Sequence, residues 1–257
     1  MYHAVAHAPA RAVRGLSVSP GAFHEQMDLL GARGFTPISC GRLAAAWRGG
    51  AGLPGRPVLI TFDDGYEGVY RYALPALAAH GFAATLFAST GWLRGPYDMG
   101  GAPDLMLDWD QLRALADAGV EVGGHSHTHP QLDQLDDERL WFELLRCREI
   151  LTDELGRPPV SFSYPYGYSS RRVRRTVRAA GFEVGLAVGN GLAARRQGPY
   201  ALRRVTVGRT TRIEEFEQLV DGRALGRHFA RDRALTKGYA LVRRSRQASR
   251  QVWGKVR

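Results

Sequence analysis

The sequence predicts an α/β protein built as a distorted (β/α) barrel of about seven strands, in a single domain with a basic C-terminal extension. Short apolar segments alternate with helix-like segments about seven times, which is typical of a parallel sheet with helices outside it. The run "RPVLITF" at 56–62 suits a strand buried on both faces. No Gly-x-Gly-x-x-Gly motif follows the first predicted strand, so a dinucleotide-binding fold has no support.

Local patterns define the elements in chain order. Strands are predicted at "MYHAV", "FTPISC", "RPVLITF", "FAATLFAS", "VEVGGH", "VSFSYPYG" and "FEVGLAV". The first long helix is predicted to begin at the N-cap Ser19 with Pro20 in its first position, and to end at Gly34. Asp108 and Gln111 have capping-box spacing before "WDQLRALADAG". Helices are also predicted at "GRLAAAW", "YRYALPALAAHG", "DERLWFELLRCREILTDELG" and "RRVRRTVRAAG".

The charge of the chain is concentrated at one end. The 257 residues hold 35 Lys and Arg against 25 acids, a net charge of +10. Of these, 11 basic residues and one acid lie in 223–257, which leaves 24 of each in 1–222. We therefore expect a barrel over 1–222 and a basic, helical tail over 223–257. The tail is expected to contact an anionic membrane surface or an acidic glycan, with a solvated extension as the plainer interpretation.

Other classes of protein are disfavoured. The neutral body argues against a nucleic-acid-binding protein, and two cysteines, Cys40 and Cys147, do not make a disulfide framework. No apolar run approaches the roughly 20 residues of a membrane span. No signal peptide is visible, which favours a cytoplasmic or membrane-peripheral location unless the N-terminus is truncated.

Polar motifs follow two neighbouring predicted strands. Asp63 and Asp64 end one strand, and His125, His127 and His129 follow another. His125 and His129 are four residues apart, so one turn of helix-like backbone places both imidazoles on one side and His127 elsewhere. One carboxylate and two imidazoles suit zinc or another first-row divalent ion. If Asp64 binds such an ion, Asp63 can stay ionised beside it and act as a base on water.

Each motif alone also has an ordinary structural interpretation. An Asp-Asp-Gly sequence is often only a turn, and a histidine cluster is often a surface feature or a helix cap. Their common position favours one site, because the carboxyl ends of barrel strands meet at a single face. Thr61 and Ser126 are candidates to hydrogen-bond the ligand side chains, with strand-end capping as an equal alternative.

The sequence "TFDDGY" followed by "HSHTHP", with "SYPYG" later, resembles the polysaccharide deacetylases of carbohydrate esterase family 4, which have the NodB-homology fold. The openings "MYHAV" and "SPGAFHEQMDLL" also resemble a bacterial branch of that family, and the resemblance covers roughly 1–222. It implies hydrolysis of N-acetyl groups on amino sugars of a glycan. It further implies Asp63 as the base and Asp64, His125 and His129 as ligands of one divalent ion, Zn²⁺ or alternatively Co²⁺, Ni²⁺ or Mn²⁺.

The resemblance also implies where substrate binds. It places the Pro165–Tyr166 turn at the site, with the Tyr166 backbone N–H helping to hold the oxyanion. Tyr66 lies beside the metal motif and is expected to contact a sugar ring. Trp109 is expected to pack at a helix start instead.

The sequence departs from the family pattern in three places. The turn usually reads Arg-x-Pro-Tyr-Gly, but Ser163 stands at the arginine position. That arginine normally steadies the catalytic aspartate, so we predict that Arg204 of "YALRRVTV", rather than Arg203, replaces it. The late Leu-x-x-His motif, which supplies the usual acid, has no clear counterpart, and our candidate acid is His3. A hydrogen-bonded supporting role for His3 is the alternative. The Asp-Trp pair that supports the usual acid is not visible.

These observations lead to a metal-dependent amidohydrolase that acts on an acetylated glycan. Two alternatives keep part of this interpretation. One is a deacetylase of a small acetylated molecule or an O-acetyl ester. The other is a catalytically weakened relative that binds glycan, as the missing acid motif suggests, although a binding module does not need Asp63.

Overall fold

The computed structural model describes residues 1–50 and 52–230, and within them the strands are short and parallel. They are β1 (Thr36–Pro37), β2 (Pro57–Val58), β3 (Thr61–Phe62), β4 (Thr85–Ala88), β5 (Glu121–Gly124), β6 (Ser161–Ser163) and β7 (Val184–Leu186). A five-stranded sheet has the order β3-β4-β5-β6-β7, and β1 pairs with β2 in a separate two-stranded sheet. Strand order follows chain order, so each connection carries the chain over the outside of the sheet to the neighbouring strand.

The segment before α1 continues the sheet beyond β3. The Tyr2 backbone N donates to the Thr61 oxygen at 2.8 Å, and the Tyr2 oxygen accepts from the Asp63 N at 3.0 Å. Tyr2 and Phe62 form an isolated parallel bridge. The predicted strand "MYHAV" is thus reduced to a single bridge with β3.

A second segment, C-terminal to β7, joins the opposite edge to this one. Leu202 forms a parallel bridge with Leu186 of β7. Three residues further on, the Val205 oxygen accepts from the Met1 backbone N at 2.9 Å, and the Val207 N donates to the Met1 oxygen at 2.9 Å. These hydrogen bonds close the curled sheet into a distorted barrel, and we call them the seam.

Eight helices lie in the described residues. They are α1 (Pro20–Ala32), α2 (Cys40–Trp47), α3 (Leu74–His80), α4 (Trp109–Asp117), α5 (Asp137–Leu155), α6 (Arg171–Ala179), α7 (Ile213–Val220) and α8 (Leu225–His228). Ser19 caps α1 through a hydrogen bond from the Ala22 N, with Pro20 in the first turn. Asp108 and Gln111 form the predicted capping box of α4. No helix among residues 1–50 and 52–230 is long and apolar enough to cross a membrane.

The interior is packed between the sheet and the helices. Phe23 of α1 contacts Phe62 of β3 and Tyr2, with ring centroids 5.7 and 5.1 Å apart, and all three are buried. Burying large apolar side chains supplies most of the favourable free energy of folding, at about 1.5–3 kcal/mol for each. This aromatic cluster anchors β3, whose carboxyl end carries Asp63 and Asp64.

The predicted fold class is confirmed, while the roles of two strands differ from the prediction. The run "RPVLITF" contributes two short strands, β2 and β3. Its first half pairs with Thr36–Pro37 outside the main sheet, and only its second half enters the sheet. Of the predicted tail, α8 lies in the described residues, and 231–257 lie outside them.

Candidate metal and catalytic site

The candidate site occupies the edge of the sheet where the carboxyl ends of the strands meet. A cleft of about 340 Å³ there is lined by His3, Asp63, Asp64, Tyr66, Trp92, His125, His129 and Tyr166, with apolar residues around them. Larger cavities of about 460 and about 610 Å³ lie elsewhere, and none of these aspartates or histidines lines them. The structure therefore brings residues from several strand ends into one place, as parallel topology requires.

Asp64, His125 and His129 form a compact group of candidate metal ligands. The Asp64 Oδ1 atom lies 3.2 Å from His125 Nε2 and 3.3 Å from His129 Nε2. One ligand atom from each residue lies within 4.8 Å of the others. Bonds of about 2.0–2.2 Å in a tetrahedral arrangement place neighbouring ligand atoms about 3.3–3.5 Å apart. The spacing of this group thus fits a small divalent cation.

The hydrogen bonding of His125 also fits a metal ligand. Its Nδ1 atom lies 2.8 Å from the Ser163 carbonyl oxygen, which can only accept, so Nδ1 carries a proton. In the neutral ring, Nε2 then presents a lone pair toward the Asp64 carboxylate. Two lone pairs facing each other repel unless a cation or a proton lies between them. Metal-binding histidines are commonly held by such an Nδ1–H bond to a carbonyl or carboxylate.

Asp63 is held beside this group by Arg204. The guanidinium binds both carboxylate oxygens, at 2.6 Å from Nη1 to Oδ1 and 2.7 Å from Nη2 to Oδ2. The Arg204 Nη2 atom also donates to the Ser163 hydroxyl at 2.8 Å, and that hydroxyl donates to Asp63 Oδ2 at 3.1 Å. Arg203 is exposed, and its side chain lies against Gly189 and Gly191. The serine at the usual arginine position and the arginine from the seam thus meet at the same carboxylate.

This arrangement keeps both buried carboxylates ionised. Burial alone would raise the pKa of Asp63, but Arg204, together with His125 and His3, outweighs burial and lowers that pKa to about 2. Burial likewise opposes ionisation of Asp64, yet its contacts with His125 and His129 hold its pKa well below the usual range. For His125, the nearby Asp63 and Asp64 outweigh burial and raise the pKa. For His129, burial dominates and lowers the pKa.

The backbone of the site is held in conformations that most residues avoid. Asp64, Ser126, His129 and Tyr166 have φ values of 78°, 66°, 59° and 59°. Each such conformation costs about 1–3 kcal/mol and persists only where the surroundings impose it. The turn at Asp64 separates its side chain from that of Asp63, which explains how adjacent carboxylates serve two different partners.

His3 lies in the same cleft as the two aspartates. Its Nδ1 atom is buried without a hydrogen-bond partner in the described part of the chain. The alternative prediction is that His3 only supports the site through hydrogen bonds, and its Nδ1 atom makes no such bond to the described residues. Burial lowers the pKa of His3, and Asp64 and Asp63 offset part of that effect.

Of the predicted substrate-binding residues, Tyr66 lines the cleft but is only 3% exposed. Burial and, to a smaller extent, the neighbouring Asp64 raise the pKa of its hydroxyl. Contact of Tyr66 with a sugar ring stays a prediction. Pro165 is buried, whereas Tyr166 is 53% exposed at the cleft. The Tyr166 backbone N–H makes no hydrogen bond to any described residue.

Two residues of the site were missed by sequence reasoning. The Trp92 ring lies over His129, with centroids 4.3 Å apart. Glu143 of α5 is buried and accepts hydrogen bonds from the backbone N–H groups of His127 and Thr128, at 2.9 and 2.8 Å. Both carried a signal. Trp92 follows a predicted strand end, and Glu143 is an acid within the buried stripe of α5.

Comparison with known proteins finds relatives that are named as deacetylases. YxkH of Bacillus subtilis (strain 168) is 29% identical over 150 residues, which are 58% of this chain and 51% of that protein. The poly-beta-1,6-N-acetyl-D-glucosamine N-deacetylase of Escherichia coli (strain K12) is 26% identical over 242 residues, covering 80% of this chain and 36% of that protein. The chain thus spans about half and about a third of the lengths of these two relatives.

Solved structures show the same fold. The Streptococcus pyogenes deacetylase PplD, solved in complex with acetate, aligns with a TM-score of 0.76 and 23% identity. The alignment covers 86% of this chain and 96% of that one. The family model for polysaccharide deacetylases matches residues 51–185, which is more than half of the chain. The chain belongs to the polysaccharide deacetylase family.

Proposed function

We propose that this protein hydrolyses the N-acetyl group of an amino sugar within an acetylated glycan. The observation that carries the proposal is the ionised Asp63 held next to the Asp64, His125 and His129 group, in one cleft of a polysaccharide deacetylase fold. The Escherichia coli relative is named for removing such groups from poly-beta-1,6-N-acetyl-D-glucosamine. Because this chain covers only part of that protein, the activity and the substrate belong to the proposal.

The ligand group would hold one divalent cation, with Zn²⁺ the best match to one carboxylate and two imidazoles, and Co²⁺, Ni²⁺ or Mn²⁺ as alternatives. Such a cation would polarise the acetyl carbonyl and make water easier to deprotonate. Asp64, His125 and His129 would supply the ligands. The metal is part of the proposal.

The chain's own residues would then move the protons. Asp63 accepts a proton from the attacking water, and Arg204 and Ser163 keep its oxygens in place. The unpaired Tyr166 N–H donates to the oxygen that becomes negative when the carbonyl carbon turns tetrahedral. His3 donates a proton to the departing amine, so that free acetate and an amino sugar leave the cleft.

The test is acetate release from N-acetylglucosamine oligomers of several lengths, before and after removal of metal by a chelator. We expect release that stops with the chelator and returns with added zinc or cobalt. Binding of the oligomers without release would support the glycan-binding alternative. Release only from a small acetylated compound would replace the glycan with that substrate. The cellular location and the tail's partners stay predictions.

A further inference from the structure

The two histidines of the ligand group are held in different ways. His125 is fixed by the bond between its Nδ1 atom and the Ser163 oxygen, at 2.8 Å. The Nδ1 atom of His129 is buried and has no hydrogen-bond partner among the described residues. Histidines that bind metals nearly always use this second nitrogen to fix the ring. Something else must orient the His129 ring.

Aromatic rings flank His129 instead. The Trp92 centroid lies 4.3 Å from the imidazole centroid with 32° between the planes, a tilted arrangement with the two rings packed together. On another side Tyr166 lies 4.8 Å away at 54°. The His129 side chain is only 9% exposed. Because a ring packed this closely opposes rotation of the imidazole about its Cβ–Cγ bond, Trp92 restricts the direction in which Nε2 can point.

The chain fixes Trp92 in this position through the three residues before it. The segment 89–91 runs beside 125–127 and is bonded to it residue by residue. The bonds run from Ser89 Oγ to the His125 oxygen (3.1 Å), from the Thr90 N to the Ser126 oxygen (3.3 Å), from Thr90 Oγ1 to His127 Nδ1 (2.9 Å), and from the Gly91 N to the His127 oxygen (2.8 Å). Trp92, half-buried, is the next residue, and it meets the loop at His129.

We propose that Trp92 is a positioning residue that holds the His129 imidazole for metal binding, in place of the hydrogen-bond acceptor that holds His125. The proposal rests on the proposed function, because it requires Asp64, His125 and His129 to bind a cation. Trp92 acts through His129 and takes no part in proton transfer. A ring of similar shape should therefore replace it, whereas a small side chain should not.

The decisive measurement is zinc affinity, taken by competition with a chromophoric chelator. Residues that orient a metal ligand typically contribute about 10–100-fold to affinity, so we expect Trp92→Ala to weaken zinc binding about tenfold or more. Trp92→Phe should stay within about threefold of the unaltered protein, because it keeps an aromatic face over the imidazole.

The same histidine loop offers a matched control. Phe142 contacts the His127 ring, with centroids 5.9 Å apart, and His127 is not in the ligand group. Phe142→Ala also removes an aromatic ring beside an imidazole, but it should leave zinc affinity unchanged. The thermal unfolding midpoint of the metal-free proteins distinguishes a structural role from a positioning role. A purely structural role of Trp92 would lower that midpoint in Trp92→Ala without changing zinc affinity. The visible spectrum of the Co²⁺ form reports the ligand geometry directly.

The outcomes are distinct. Weaker zinc binding and an altered Co²⁺ spectrum in Trp92→Ala, with both restored in Trp92→Phe, support the proposal. Equal zinc affinity in Trp92→Ala and the unaltered protein overturns it, while leaving the proposed function intact. Equal losses in Trp92→Ala and Phe142→Ala also overturn it, because the effect would then be general to the loop. If the unaltered protein binds no divalent metal, the proposed function fails first, and the role of Trp92 fails with it.

Discussion

Arg204→Ala tests whether Arg204 keeps the proposed base, Asp63, ionised and in position. The change removes two bonds to Asp63 and one each to the Ser163 hydroxyl, the Thr61 hydroxyl and the Ala187 oxygen, and it leaves a buried carboxylate without its guanidinium partner. Breaking a buried ion pair by removing one partner costs about 3–5 kcal/mol in the free energy of unfolding. We therefore expect a clearly lower unfolding midpoint for this variant.

The catalytic effect follows from the pKa of Asp63. Burial raises that pKa, and Arg204, together with His125 and His3, lowers it to about 2. Without the guanidinium the balance moves toward burial and the pKa rises, so a larger fraction of Asp63 is protonated and unable to accept a proton. Each pKa unit above the assay pH lowers the ionised fraction about tenfold. We expect kcat/KM to fall by about 10²–10³, within the usual contribution of a general base, and the acid limb of its pH profile to move to higher pH.

The assay is acetate release over a range of pH, with folding of each variant checked by thermal unfolding. Arg203→Ala is the matched control, since Arg203 is the adjacent arginine and is exposed. Its kcat/KM should stay within about twofold of the unaltered protein, because the exposed Arg203 side chain does not contact Asp63. Its free energy of unfolding should change by no more than about 0.5 kcal/mol, as is typical of exposed substitutions. Equal losses in the two variants, or an unmoved acid limb in Arg204→Ala, would refute the reasoning. Adding Asp63→Asn to Arg204→Ala should cost little further activity, because the two residues act as a unit.

Three further predictions address other parts of the site. Asp63→Asn should keep its zinc, measured by metal analysis, yet lose about 10²–10⁴-fold in acetate release; loss of both would show that Asp63 also binds the metal. If His3 is the acid, kcat/KM should decline as pH rises through its pKa, which lies below 6.5, and His3→Gln should abolish that alkaline limb. An identical limb in the variant would exclude His3. Gly167→Ala places a Cβ atom against the Val188 Cβ at a φ of 72°, so we expect a lower unfolding midpoint and weaker acetate release; an unchanged midpoint would show that the turn relaxes freely.

Local patterns in the sequence predict most of the fold and the chemical character of the site. Caps such as Ser19 and the Asp108 capping box act through neighbouring residues, so their effect is visible in the sequence itself. The parallel topology brings strand ends together, and the aspartate and histidine motifs could therefore be assigned to one place. Arg204 was predicted because Ser163 left a cationic position unfilled.

The features that escaped prediction depend on distant contacts. The bridge between Tyr2 and Phe62 and the closure between Met1 and Val205 join segments that are far apart in the chain, by 204 residues in the second case. The sequence around Trp92 and Glu143 suggests that each lies near a strand end or in a buried stripe, but it does not reveal that either residue contacts the histidine loop. The burial of Tyr66 could not be predicted, because its position beside the metal motif does not reveal how much of its ring is covered.

The seam could open separately from the rest of the sheet. One side of it carries Arg204, and the other side leads directly into His3. The candidate cation ligands, in contrast, follow β3 and β5 directly or lie in the loop after β5. Heating that opens only the seam would separate the guanidinium from Asp63 and move His3, while the five-stranded sheet and the candidate ligand group stayed in place. Under the proposed function, activity would then be lost at a lower temperature than metal binding and most of the fold.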